Sequence, residues 1–371
     1  MQTCPCELVR AGRNIVDGDY THRMVIVKST PYWYGRYSQE RIVTCDGYAV
    51  LVSYSRGDLC TICSADYVVI NARLETWEWL QLHQLRTNDQ VWVHTTEESP
   101  INSRKLVPDK RLVDAITLNV TQTWHPNADI YLPYGEFVPY PPGVSKKLST
   151  NSNFESKNKL VLWISSHCYT QMWHRYNFVY DFAKHIPVDM YGDCGNLTCL
   201  IGDPTCRDIF RQYKFLLALE NSCCGGYITE KFWNSLTKIE AIPIVVGAPK
   251  EDYERLAPAG SFIHADDFPS MEDLADYIFK VAKNKGLYSS YFKWREHGDI
   301  VSHKPHEMLS ISNEGICSLL DFTHSSSFLL KTSSFHPYGP NWMGGCFSCG
   351  EHTWIQRYVH KNVTEKLKTL H

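Results

Sequence analysis

The chain has 371 residues, 37 basic and 40 acidic for a formal charge of -3, and 43% of it is hydrophobic. At roughly 150 residues per domain, this length predicts two domains with cores of their own and excludes a small disulfide-knot protein. The balanced charge, with no basic run or face, argues against nucleic acid as a partner, and the ordinary globular composition excludes wholesale disorder.

The first residues, Met1 to Asn14, lack a basic flank followed by an apolar stretch, so they do not read as a signal peptide. Asp17-Gly18-Asp19 has the spacing of a metal-binding D-x-D but sits in a glycine turn before the first strand, and it reads as a solvated turn. Short β-branched runs follow at Met24–Val27, Tyr48–Val52, Tyr67–Ile70, Val91–Val93 and Ala115–Leu118, with a helix predicted over Glu75–Arg86. That cadence is the one of a parallel sheet with crossover helices. The run 139–159, loaded with Pro, Ser, Asn and Lys, reads as the linker.

A second block then begins with a buried strand at Leu160–Ile164, a helix over His174–His185 and a strand at Val188–Tyr191. Tyr213–Glu220 is an apolar run of strand length, a helix opens near Thr229, and Ile242–Val246 is another buried strand. Helices are predicted over Met271–Asn284 and Leu287–Glu296. The tail after Gly298 has weak periodicity and ends in a helix from His352. Two such βα domains predict a nucleotide site at the carboxyl ends of the strands. The longest apolar stretch, Ala241–Ala248, falls far short of the roughly 20 residues that span a bilayer.

The 14 cysteines are heavy for a cytosolic enzyme and natural for an oxidising lumen, which suggests the catalytic part of a protein whose anchor lies outside this chain. Cys60/Cys63 and Cys346/Cys349 have C-x-x-C spacing, compatible with two halves of a zinc site but more in keeping with disulfides, because the pairs lie at opposite ends of the chain. One of the vicinal Cys223 and Cys224 is expected to pair with Cys168, Cys194, Cys199 or Cys206, with buried free thiols as the alternative. Sequons at Asn119, Asn196 and Asn362 are glycosylation candidates; their number is no more than chance would give, so they permit a secretory location without arguing for it.

No dinucleotide fingerprint and no phosphate loop is present, which disfavours hydride transfer and ATP hydrolysis. The densest feature is residues 213–233, where an apolar run ends in a polar loop and Thr229-Glu230-Lys231 opens a helix. Lys231 in such a first turn either grips a diphosphate beside the free N–H groups or decorates a helix start.

This stretch strongly resembles the donor-binding signature of the α-1,3-fucosyltransferases, inverting enzymes that use GDP-fucose. Further segments agree in that family's order: Glu98-Ser99-Pro100, Trp124 through Gly135, His174-Arg175-Tyr176 with Val188–Gly192, and Ile242–Gly247 running on to Tyr291–Arg295. The closing Cys346–Cys349 is similar to the family's C-terminal C-x-x-C. The resemblance implies an α/β, GT-B fold of two Rossmann-like domains facing each other across a cleft. It places an acceptor-side domain at 20–140, a linker at 141–159, a GDP-fucose-binding domain at 160–300, and at 301–371 a variable loop and a tail packed back on the first domain.

By that resemblance, Arg175 and Lys231 contact the diphosphate, and Asn221, Tyr227 and Glu230 contact nucleotide and sugar, with Glu230 accepting from ribose hydroxyls. Glu98 is the candidate base, made ambiguous by the adjacent Glu97, only one of which is expected to face the cleft. Trp124 and His125 are acceptor-side candidates. Cys346 and Cys349 are implied to bridge to Cys45 and to one of Cys60 or Cys63. No metal and no cofactor is implied beyond the donor substrate. The reaction implied is fucose transfer to the 3-hydroxyl of GlcNAc in an N-glycan core or antenna, in the Golgi or ER lumen, by a type II membrane-anchored protein. The alternatives are O-fucosylation of Ser or Thr on a folded domain, or an inactive glycan- or nucleotide-binding relative.

Overall fold

The computed structural model describes residues 20–361 except 29–39, 56–58, 147–153, 171, 201–202, 305–306, 308, 310–311 and 332–334. Asp17, Asp19 and Asn362 lie outside the described residues, as does the side chain of Cys60. The chain divides into two compact units, Met1–Leu132 with Lys304–Met343, and Pro133–His303 with Gly344–His371.

In the first unit the strands are β1 (His22–Lys28), β2 (Arg41–Cys45), β3 (Tyr48–Ser55), β4 (Tyr67–Asn71), β5 (Val91–Thr96), β6 (Val120–Thr123) and β7 (Ile130–Tyr131). They form one sheet in the order β2-β3-β1-β4-β5-β6-β7, parallel except for β2, which runs antiparallel to β3. The helix Thr76–Leu85 starts where the Glu78 carboxylate accepts the Glu75 N–H at 2.7 Å.

Of the expected strand Ala115–Leu118, Ala115 and Ile116 turn back onto the Leu112 carbonyl and Leu118 makes an isolated antiparallel bridge to Phe335, and the strand begins at Val120. Asn119 sets this register: its N–H donates to the Trp92 carbonyl at 2.7 Å, and its side-chain oxygen accepts the Trp92 N–H at 2.8 Å and Arg86 at 2.8 Å. A side chain that takes the place of a ladder partner leaves no trace in hydrophobic periodicity.

The second unit contains β8 (Gly135–Pro139), β9 (Lys159–Ile164), β10 (Val188–Tyr191), β11 (Tyr213–Leu219), β12 (Ile242–Val246), β13 (Ile263–His264) and β14 (Gly298–Ser302). Five of these make a parallel sheet in the order β10-β9-β11-β12-β13, and β8 pairs antiparallel with β14. Phe232, Trp233 and Leu236 from one side helix pack with Ala218, Val245 and Tyr253 in its core.

Three expectations about organisation are corrected. The run 141–159 does not divide the units, since β8 before it already belongs with β14 in the second unit. Lys157 inside that run is 3% exposed and donates to the carbonyls of Arg211, Tyr213 and Ile239 at 2.7, 3.0 and 3.1 Å. Composition registers the charge but not the three acceptors that make its burial tolerable.

The segment after residue 301 is no mere variable loop. Ser312 caps the helix Asn313–Thr323 by accepting the Gly315 N–H, and Ile316, Leu319 and Leu320 bury against Met24, Ile26, Val50 and Val69 of the first sheet.

The disulfides also differ. Cys45 bonds to Cys317, Cys224 to Cys346 and Cys223 to Cys349, while Cys168–Cys194 and Cys199–Cys206 close shorter loops. Cys63 is disulfide-bonded as well, and none of the described cysteines is free. The C-terminal C-x-x-C therefore ties the tail to the second unit rather than the first. Backbone pairing explains the choice: Phe347 N–H donates to the Cys223 carbonyl at 3.0 Å and Gly225 N–H to the Gly345 carbonyl at 2.9 Å, which aligns both pairs of thiols.

Candidate functional site

In the second sheet β9 lies between β10 and β11, so the chain order reverses there and the loops leaving β9 and β11 flank a switch point at the carboxyl edge. Arg175 opens the helix Arg175–Phe182 and is 3% exposed. Its guanidinium donates to the Leu219 carbonyl and to the His167 carbonyl, both at 2.9 Å, joining the two loops. Trp173 adds a bond from its indole N–H to the Glu220 carbonyl at 2.9 Å.

Glu220, the residue directly after β11, is fully buried and was not singled out by sequence reasoning. Its carboxylate accepts the Thr229 N–H at 2.8 Å and the Thr229 hydroxyl at 2.7 Å. Lys231 Nζ lies 3.5 Å from the same carboxylate, 3.0 Å from Thr229 Oγ1 and 3.0 Å from Glu230 Oε1. Burial pushes the Glu220 carboxyl up, against the pull of Lys231 and Thr229. Burial works against the charge of Lys231 too, but Glu220 and Glu230 outweigh it and raise the ammonium above its ordinary value. Burial likewise opposes the charge of Glu230, but Lys231 outweighs it and holds that carboxyl below its usual range. The signal for Glu220 was present as a single acid closing an apolar strand.

Gly247 is what lets Glu220 fit: a Cβ there would come within 2.8 Å of Glu220 Cγ. Asn221 follows Glu220 half-buried, and Tyr227 is 2% exposed. Between them the two disulfides hold Cys223 and Cys224, and Gly226 at φ 73° turns the chain with its N–H donating to Asp252 at 2.7 Å. Arg175, Asn221, Tyr227, Glu230 and Lys231 thus all belong to these two loops and the helix starts that follow them. Arg175 is engaged by carbonyl oxygens, and Lys231 is the cation held by carboxylates.

In the first unit, Glu97 and Glu98 follow β5. The Glu98 N–H donates to Thr96 Oγ1 at 3.0 Å, and its carboxylate accepts from Asn102 at 3.2 Å. Both acids line the same pocket of about 220 Å³, with Asn71, Arg73 and Leu309. Residues after a strand end leave the pleat, and its alternation no longer separates them. Trp124 is buried, donating its indole N–H to the Glu98 carbonyl at 3.0 Å, while His125 lines a second pocket. Of the sequons, Asn196 is exposed in a turn, and Asn119 is built into the sheet as described. Among the described residues no group of three or more His, Cys, Asp or Glu side chains is placed to hold a metal ion. No helix among them is long and apolar enough to cross a membrane.

Two family models match the chain. The fucosyltransferase N-terminal model covers residues 35–135, and the glycosyltransferase family 10 (fucosyltransferase) C-terminal model covers residues 154–334. Alpha-(1,3)-fucosyltransferase C of Drosophila melanogaster is 31% identical over 278 residues, 70% of this chain and 61% of the relative. Glycoprotein 3-alpha-L-fucosyltransferase A of the same species is 36% identical over 208 residues, 55% of this chain and 40% of the relative. The chain thus spans about half the length of the curated relatives it matches. A crystal structure of an alpha1,3-fucosyltransferase superposes with a TM-score of 0.51 at 16% identity, covering 86% of this chain and 94% of the other. That likeness shows the fold, GT-B with two Rossmann-like units. Together with the two family models and the fucosyltransferase relatives, it places this chain in glycosyltransferase family 10, the fucosyltransferases.

Proposed function

We propose that this protein transfers L-fucose from GDP-fucose to the 3-hydroxyl of N-acetylglucosamine in an N-glycan core or antenna, with inversion at the sugar. The observation that carries this reading is Lys231, an ammonium held at 3.0 Å from Thr229 and from Glu230 beside the buried Glu220, in the loop leaving β11 at the switch point. A cation already oriented costs no reorganisation when charge develops on a departing diphosphate. Glu230 is half-exposed, so its carboxylate is free to turn to ribose hydroxyls when the phosphates of the donor take its place on Lys231. Arg175 acts as a positioning residue, since its guanidinium holds the two loops together.

In the reaction the acceptor oxygen forms a bond to the anomeric carbon of fucose as the bond from that carbon to the GDP oxygen breaks. GDP keeps the electron pair, and Glu98 takes the acceptor proton. Asn221 and Tyr227 belong to the donor loop, and Trp124 and His125 to the acceptor side. No divalent metal is needed in this scheme, because Lys231 supplies the positive charge. The disulfides are in keeping with a Golgi or ER lumen as the site of action.

The test is GDP release from GDP-fucose by the purified chain against N-glycan cores, antennary GlcNAc disaccharides and folded protein domains, with Glu98→Gln alongside. Turnover on a glycan that is lost in the variant is the expected result. Turnover on folded protein alone would point to Ser or Thr fucosylation, and donor binding without turnover on any acceptor would point to an inactive binder. Chelation by EDTA is expected to leave most of the rate; its complete loss would overturn the metal-independent scheme.

A further inference from the structure

The first unit holds a second pocket, of about 250 Å³, between the loop after β6 and the segment 335–342. Its walls come from residues far apart in sequence. Asp129 and Lys331 form an ion pair at 2.7 Å, with their side chains 16% and 17% exposed. The Asp129 Oδ2 also accepts the Thr121 N–H at 2.8 Å and the Thr121 hydroxyl at 3.0 Å, so three donors converge on one oxygen. The carboxylate is thereby fixed while Oδ1 takes no bond from any described residue. Also in the lining, Asn127 donates to Asn341 at 3.1 Å, and both amides are exposed. Four rings also line it, those of His125, Phe335, His336 and Trp342.

We propose that this pocket binds one uncharged pyranose ring of the acceptor glycan, away from the hydroxyl that is fucosylated. The inference rests on the reading of the chain as a glycan fucosyltransferase. Aromatic rings that line one pocket together with a fixed carboxylate and two amides offer the chemistry that hexoses match, with C–H faces on the rings and hydroxyls to the polar atoms. Pairing of Asp129 with Lys331 leaves no unmatched carboxylate, lysine or arginine in the wall, which favours a neutral sugar over a phosphate or an acidic one. The volume lies below the roughly 300–1,000 Å³ of sites for drug-sized ligands and suits a single ring.

Stacked indoles connect a wall of this pocket to the backbone of the proposed base. Trp342 stacks on Trp124 with ring centres 5.6 Å apart, and Trp124 donates to the Glu98 carbonyl. Residues 335–342 lie outside both family matches, so this wall is a feature of this chain beyond what those models describe.

The experiment compares the full chain with the double variant Asn127→Ala/Asn341→Ala and, separately, with Asp129→Asn. Acceptors are a GlcNAc glycoside and a biantennary N-glycan heptasaccharide, with hydrolysis of GDP-fucose in the absence of acceptor as the donor-side control. Expected is a kcat/KM within about twofold on the monosaccharide and about tenfold lower on the heptasaccharide, carried by KM, since one or two hydrogen bonds are lost. An equal loss on both acceptors, or no loss on either, would overturn the proposal. If the wild-type chain turns over neither acceptor, the functional reading fails and the pocket is judged by saturation-transfer NMR with the heptasaccharide alone. Transfer that the double variant abolishes supports the pocket, and its absence in wild type rejects it.

Discussion

At the scale of single residues, the donor side turns on a buried carboxylate and a lysine that need each other. Removing Glu220 would leave the Thr229 N–H and hydroxyl without their acceptor and Lys231 with Glu230 as its one carboxylate, and removing Lys231 would take away the ammonium that favours the charge of the buried Glu220. Lys231→Ala is therefore expected to weaken GDP binding by roughly 10- to 100-fold in titration calorimetry, the worth of one charge-assisted hydrogen bond. Unchanged affinity would remove Lys231 from the donor site. Gly247→Ala tests the packing beneath: its Cβ would meet Glu220 Cγ at 2.8 Å and the Tyr253 hydroxyl at 3.2 Å, and both side chains are fully buried. Denaturant unfolding should show a loss of about 1–3 kcal/mol, the range for overpacking. Thr229-Glu230-Lys231 was legible in the chain as a helix start, and the donor-side roles of Glu230 and Lys231 came from the family resemblance and not from that pattern. Glu220 was harder to see, because a charge at the end of an apolar run looks like a solvated boundary until its partner nine residues on is folded over it.

Among the elements, the tail and the donor loop behave as one piece. Besides the two disulfides, Trp354 donates its indole N–H to the Phe268 carbonyl at 3.0 Å, the His174 N–H donates to the Tyr358 carbonyl at 2.8 Å, and His360 N–H to the Met172 carbonyl at 2.9 Å. The tail therefore clamps the loop after β9 as well as that after β11. Cys346→Ser/Cys349→Ser, made together with Cys223→Ser/Cys224→Ser so that no thiol is left to mispair, is expected to cost about 2–5 kcal/mol of stability. It should also weaken GDP binding, and calorimetric titration of the refolded variant checks this. Full affinity in the variant would show that the noncovalent contacts suffice. The helix Asn313–Thr323 teaches a related lesson. Its apolar stripe is present in the sequence, but a surrounding run of Ser and His masks it, and only its place against β1, β3 and β4 identifies it as core.

For the molecule as a whole, the least expected consequence concerns acid. His94 on β5 is fully buried between Phe335, stacked at 5.2 Å, and Trp342, edge-on at 5.1 Å, and burial lowers it from 6.5 to about 3. Between those values the unfolded chain takes up a proton that the folded one refuses. Stability therefore falls as pH drops below 6.5, by up to about 1.4 kcal/mol per pH unit. Denaturant unfolding at pH 7, 6 and 5 should show this slope, and His94→Phe should flatten it whatever the change does at pH 7. An identical slope in the variant would assign the acid sensitivity to other groups.

What the sequence determined by itself was whatever is local: short β-branched runs, helix starts with their caps, and the ordered motifs that mark the family. These follow from backbone and side-chain preferences within a few residues, so they survive without knowledge of the fold. Partner choice over long separations was decided by tertiary structure alone. Cys45 meets Cys317 and Cys346 meets Cys224 because backbone pairing and core packing bring those segments together, not because of their spacing along the chain. The same holds for Lys157 on its three carbonyls, for Glu220 under Lys231 and for the wall that Trp342 lends to the second pocket. A buried polar group is tolerable only where its partners are, and those partners are set by the fold.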